Sequence, residues 1–266
     1  MRIHLSLVLA LFLFCFFLQV QSQSYVFLDE YAEYSIWWGK PFFASPQKII
    51  KAGRAVLTAK IRTKDRQNIL IVESSAESNG IVNAFYSINN HSQTIMNSES
   101  FMPISTIQLL TQGSYYRQTD IDFDCENKII SYKDFLRKDG VMKANVDSVK
   151  IPDCAGIFDI ISAFFKVRTM DLNPPDTIFI NVFDTDHKIF SLPVIILKRD
   201  TIETIFGEKT ACVVVQPMLH DYAAMFIKTG SLILWFTEGE NKILVKAETE
   251  VKIGKVIVQL KKYENQ

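Results

Sequence analysis

The sequence predicts an all-β protein, a large antiparallel sandwich or partly open barrel wrapped around one internal α-helix. Three observations carry that expectation. Apolar and polar residues alternate through most of the chain, as half-buried strands require. Short polar turns separate these stretches, which suits antiparallel neighbours. One segment, Ile151 to Met170, breaks the rhythm and spaces its apolar residues helically.

That helix is placed at about residues 153–170. Asp153 is expected to cap it, and Asp159 to favour its early turns by charge. At 100° per residue, Ile157, Phe158, Ile160, Ile161, Ala163, Phe164, Phe165 and Val167 cover roughly 220° of the circumference. Asp159, Ser162 and Lys166 share a strip of roughly 60°. An apolar arc that wide needs cover from more than one side, so sheet should surround it. Arg168 lies inside the arc but in the last turn, where it is expected to snorkel outward. Asn173-Pro174-Pro175 ends the helix.

The strands follow in chain order. Residues Tyr25 to Pro46 are rich in aromatics, and Tyr34, Ile36 and Trp38 alternate with Ser35 and Trp37. A sheet wrapped on a helix needs large side chains to fill the gap; exposed, Trp37 and Trp38 would suit sugar rings or apolar ligands. Gln47 to Thr63 reads as a long strand with a bulge or bend at Gly53, and Ile69 to Glu73 returns beside it. Shorter strands are expected at Ile81–Ile88, Gln93–Met96 and Pro103–Leu110, then at Tyr115–Phe123, Lys128–Lys133 and Val141–Val149. Beyond the helix come Asp176–Phe183 and Lys188–Leu197, then Ile202–Phe206 and Ala211–Gln216. Ser231–Thr237, Lys242–Val251 and Lys255–Leu260 form a closing meander. No internal repeat or low-complexity linker divides the chain.

Residues 1–22 have the pattern of a secretory signal peptide. Arg2 supplies the positive charge, Leu5 to Val20 the apolar run, and Val20 and Ser22 the small-residue cleavage site. Cleavage would leave one domain, 23–266, without a transmembrane span. Of the cysteines, Cys125 and Cys154 are expected to pair in an oxidising compartment, with Cys212 a buried strand residue. The 29 basic residues balance 29 acidic ones, which argues against nucleic acid as a partner.

Catalytic and metal constellations are weak. Asp159 and Ser162 are helical neighbours, but no histidine lies near them in sequence and no G-x-S-x-G turn presents the serine. Local helix hydrogen bonding explains the pair more simply. Asp120, Asp122 and Asp124 share one strand face, but the sixth and twelfth positions of a calcium loop would be Cys125 and Ser131. Asp184, Asp186 and His187 read as a hairpin turn. No metal or cofactor is expected.

Several stretches resemble the bacterial exported domain-of-unknown-function family 3108. YSIWWGKPFFASPQKII is similar to its aromatic first motif. GIFDIISAFFKVRTMDL resembles its D-x-x-S-x-x-Y-x-x-R helix, with Asp159, Ser162, Phe165 and Arg168 in those places and phenylalanine where the family usually has tyrosine. ETIFGEKTACVVVQPML and GSLILWFTEGENKILVKAETEVKIGKVIVQL resemble its later motifs, with Gly207 at the turn, Trp235 in the tryptophan place and Gly254 at the last turn. The family's aspartate pair and Arg-x-Pro have no clear counterpart near Gly239, Glu240 and Asn241. The resemblance implies an exported, mainly β protein, similar in fold to envelope lipoproteins of capsule-type polysaccharide loci, with no established catalytic residues.

The leading expectation is therefore a non-enzymatic protein of the periplasm or cell envelope. It would bind an apolar or amphiphilic envelope component, such as a lipid, glycolipid or polysaccharide, or assist polysaccharide or outer-membrane assembly with an envelope protein partner. Trp37, Trp38, Asp159, Ser162, Phe165, Arg168 and Trp235 are its candidate binding residues. One alternative is a hydrolase of envelope polymers using Asp159, Ser162, Asp184 and Asp186. Another is an interaction module that pairs a sheet edge, for which an exposed edge strand is the mark.

Overall fold

The computed structural model describes residues 29–39, 49–152, 156–184, 187–218, 232–251 and 254–265. The expected leader, Asp153, Cys154 and Asp186 lie outside these residues. The strands are β1 (Glu30–Gly39), β2 (Ile49–Lys64), β3 (Gln67–Ser78), β4 (Ile88–Asn97), β5 (Pro103–Gln112), β6 (Tyr115–Asp124), β7 (Ile129–Lys138), β8 (Val141–Lys150), β9 (Ile157–Phe158), β10 (Asp176–Phe183), β11 (Ile189–Thr204), β12 (Gly207–Pro217), β13 (Leu232–Thr237), β14 (Leu244–Val251) and β15 (Gly254–Glu264). Among the described residues two short helices interrupt them, α1 (Gly80–Phe85) and α2 (Ile160–Arg168).

All of these strands form one 15-stranded sheet, in the order β8-β7-β6-β5-β4-β3-β2-β1-β15-β14-β13-β12-β11-β10-β9. Neighbours are antiparallel except β9 and β10. The sheet is thus two meanders that spread from a central pairing of β1 with β15. Its two ends, β8 and β9, are not hydrogen-bonded to each other, so the sheet stays open.

Side chains nonetheless bring the two arms together. Ile121 and Phe123 of β6 and Ile130 and Tyr132 of β7 share a buried cluster with Ile157 of β9 and Phe183 of β10. Strands that far apart in sheet order can touch only if the sheet curls on itself. Burying an aromatic or branched aliphatic side chain stabilises the fold by about 1.5–3 kcal/mol, so the seam holds without ladder hydrogen bonds. The main core gathers Leu70, Val72, Met96, Phe165, Val182, Val194, Ile196 and Phe236 around α2. On β12, Val213 and Val215 join this core while Cys212 and Val214 join another cluster, so that strand is buried on both faces.

Several boundaries depart from expectation. α2 starts at Ile160 rather than near 153, because Ile157 and Phe158 pair in parallel with Asn181 and Val182. Asp159 is its N-cap. α1 occupies part of the stretch expected as a strand from Ile81 to Ile88, and β4 begins only at Ile88. β11 runs unbroken through Lys198, with a register shift there in place of a strand break. The bulge expected at Gly53 is present: Ile36 faces Gly53 and Trp37 faces Lys51, which leaves Ala52 as the extra residue. A Cβ on Gly53 would lie 2.2 Å from the Glu77 carbonyl oxygen, so glycine is required there. Cys125 is disulfide-bonded and Cys212 is a buried free thiol.

Candidate functional site

The helix motif gathers buried polar groups, Asp159, Ser162 and Arg168 among them. Asp159 accepts the Ser162 backbone N–H at 2.7 Å, while the Ser162 hydroxyl accepts the Asp159 N–H at 2.9 Å. This reciprocal capping box satisfies two of the helix's orphan donors. The other carboxylate oxygen, Oδ2, accepts the hydroxyls of Thr94 on β4 at 2.6 Å and Thr106 on β5 at 2.7 Å. One aspartate thus starts the helix and ties it to two adjacent strands.

The far end of α2 is tied by Arg168. It does not snorkel outward; its side chain is 1% exposed and lies against Glu30 of β1, itself 3% exposed. Its Nη1 and Nη2 donate to Glu30 Oε2 at 3.0 Å and Oε1 at 2.9 Å, and its Nε donates to the Lys242 carbonyl at 2.8 Å. The guanidinium also sits 5.0 Å from the Phe165 ring centre and 5.5 Å from that of Phe164. The paired charge permits what snorkelling would otherwise have to avoid. Burial pushes the Tyr34 phenol well above its ordinary range, and lifts Tyr263, with the Glu30 charge adding, to about 12.

The chemistry left to this group is small. The Ser162 hydroxyl accepts from the Asp159 N–H and donates to the Asp159 carbonyl at 3.2 Å, and it is fully buried. A nucleophilic serine hands its proton to a base in reach; the Ser162 proton is directed instead at the Asp159 main-chain carbonyl, and the helix cap holds the hydroxyl in place. Asp184 sits apart from the pair, in the β10–β11 turn, where it accepts the Lys188 N–H at 2.9 Å. Phe165 is wholly buried in the main core.

The other candidates do not converge on α2. Trp235 lies in a separate cluster with Cys212 and Val214; its indole donates to Asp200 at 3.1 Å, and Lys246 sits 4.6 Å from its ring centre. That indole hydrogen bond holds the Asp200 carboxyl below its usual range. Trp37 and Trp38 stand half-buried at the opposite end of β1 from Glu30, ~23 Å along the strand at the usual rise per residue. Trp38 packs beside Gly254, where a Cβ would meet the Gly39 carbonyl oxygen at 2.2 Å.

A second polar group, which the sequence did not reveal, lies on the seam. Arg117 of β6 grips Asp134 of β7 through two hydrogen bonds, 2.8 and 2.9 Å, and Thr119 adds a third at 3.0 Å. His187, from the β10–β11 turn, stacks on Tyr132 with ring centres 3.5 Å apart and planes within 8°. Its Nε2 lies 3.7 Å from Asp134. Burial pushes the Asp134 carboxyl up, but Arg117 and Thr119 outweigh that and hold it below the ordinary range. Burial also lowers the His187 pKa, and Arg117 adds to this against the attraction of Asp134. Among the described residues no cluster of three or more metal-ligating side chains forms.

The β8 end of the sheet is exposed. Nine of the 10 residues of β8 are exposed, Val146 by 67%, Met142 by 62% and Val141 by 57%. A shallow groove of about 320 Å³ crosses this arm, lined by Asp122, Ser131, Tyr132, Lys133, Val146, Asp147 and Ser148.

These features define a class: an open, curled antiparallel sheet, locked onto a buried helix by polar ties at both helix ends. A crystal structure described as a "beta-barrel-like protein of domain of unknown function DUF1849" from Brucella abortus shares this fold, with a TM-score of 0.53 over 90% of this chain and 98% of that one, at 9% identity. Comparison with curated proteins gave no match. The family model described as "Protein of unknown function (DUF3108)" matches residues 33–261, and the chain belongs to that family.

Proposed function

We propose that the chain is a non-enzymatic protein of the cell envelope that binds through the β8 end of its sheet rather than through its interior. The observation that carries this reading is β8 itself, a 10-residue strand at the end of the sheet order with nine residues exposed. Such an edge offers a row of backbone donors and acceptors to an incoming strand. The buried side favours the same reading. Around α2 the space is filled by Phe165, Val182, Val194 and Phe236, and the motif's polar groups are engaged with one another. Export rests on the leader-like pattern of residues 1–22.

The groove beside β8 supports a second reading, a saccharide or glycolipid headgroup. Its volume reaches the lower limit of ligand sites, and hydroxyls and both signs of charge line it.

Native mass spectrometry of protein purified from its own envelope fraction tests both. The expected result is an associated species that is lost when Val141 and Val146 are replaced by lysine. A bound small molecule released only on unfolding, and unaffected by those substitutions, would place the ligand in the interior and overturn the reading.

A further inference from the structure

The exposed edge carries a pattern of its own. Along one face of β8 stand Val141, Lys143, Asn145, Asp147 and Val149. Read backwards, this series is valine, aspartate, asparagine, lysine, valine. It is therefore complementary to itself in an antiparallel pairing centred on Asn145. In that register Val141 faces Val149 of a second copy, Lys143 faces Asp147, and Asn145 faces Asn145. The other face matches small against large: Met142 faces Ser148 and Ala144 faces Val146. Directly opposed residues share a face of the sheet and interact most strongly, favourably for unlike charges and unfavourably for like ones.

We infer that β8 pairs antiparallel with β8 of a second copy of this chain, about a two-fold axis through Asn145. This rests on the edge-binding reading above and names its occupant. The interface is isologous, so each contact occurs twice and the assembly closes as a dimer. The two sheets would become one continuous sheet. Lys143 and Asp147 make none of the ion pairs among the described residues; the Asp147 carboxylate accepts the Ser148 backbone N–H at 2.8 Å and would turn from it to meet Lys143 of the second copy. The same register explains an edge with opposite charges four residues apart, since either one faces its opposite across the axis. Exposed valine and methionine at Val141, Met142 and Val146 then gain cover.

Charge reversal tests the register. Lys143→Asp sets two pairs of like charges across the axis, and so does Asp147→Lys. Each single variant is expected to dimerise roughly 10- to 100-fold more weakly than wild type. A 1:1 mixture of the two variants restores lysine opposite aspartate at both contacts, so it should form a heterodimer. The Lys143→Asp/Asp147→Lys double variant should dimerise by itself. Sedimentation velocity and native mass spectrometry read all five samples, and far-UV circular dichroism checks that these exposed changes leave the fold intact. Rescue in trans cannot come from misfolding. Wild type that stays monomeric up to about 0.5 mM, a weak-affinity limit, would overturn self-pairing. If its edge variants still lose a species bound in envelope extracts, the edge-binding reading survives that failure; if they do not, both fall. Dimers indifferent to both single reversals would also overturn the proposal.

Discussion

Removing one partner of the Arg168–Glu30 pair should damage the fold more than removing both. In Arg168→Met the Glu30 carboxylate stays 3% exposed without its two guanidinium hydrogen bonds, and the Lys242 carbonyl loses its donor. Breaking a buried ion pair in this way costs about 3–5 kcal/mol. For a chain of this size that corresponds to a fall in Tm of roughly 6–20 °C. Glu30→Leu should cost a comparable amount, because it strands the guanidinium between Phe164 and Phe165. The double variant replaces the pair with apolar groups, so its cost should fall well short of the summed singles. The assay is urea unfolding at neutral pH followed by tryptophan fluorescence, analysed as a double-mutant cycle. Single variants within about 1 kcal/mol of wild type, or costs that add within about 0.5 kcal/mol, would refute the reasoning.

Three further outcomes follow from the same geometry. Asp159→Ala removes a helix cap and the acceptor for Thr94 and Thr106, and should cost about 3–5 kcal/mol; Asp159→Asn, which keeps the cap, should cost less in the same urea titration. The His187 pKa lies below its ordinary 6.5, so its contribution to stability is present above that pH and lost as pH falls through the folded value. Between pH 7 and 5, wild type should therefore lose more stability than His187→Gln, and a variant that declines as steeply would remove His187 from the seam's pH response. Burial lifts the Cys212 thiol to about 11, so thiol reagents at pH 8 should label it only after denaturation, and rapid labelling of the native chain would contradict its burial.

Strands were easy to read because alternation is local. Ala55, Leu57 and Ala59 already show which residues of β2 share a face, and Gly53 marks its bulge. α2 was legible from its wide apolar arc, but its start was not. Residues Ile157 and Phe158 fit a helix by spacing, and only the pairing with β10, remote in sequence, draws them into a strand. α1 was missed because six residues are too few to show a helical period. Arg168 in an apolar arc called for either an outward path or a buried carboxylate. Choosing between them required Glu30, whose position opposite Arg168 depends on the sheet curling around the helix. The seam of Arg117, Asp134, Tyr132 and His187 left no local signal, since it joins arms at opposite ends of the sheet order. The alternation in β8 was readable, but its place at the end of the sheet follows from topology.

Hydrogen exchange of residues 141–150 and 157–170, measured at low and at high protein concentration, tests most directly whether the chain binds through its edge and keeps its helix motif inert. The expected result is slow exchange in 157–170 at both concentrations, with protection of 141–150 that grows with concentration. Rapid exchange across α2, or protection that changes in 157–170 while 141–150 stays open, would contradict it.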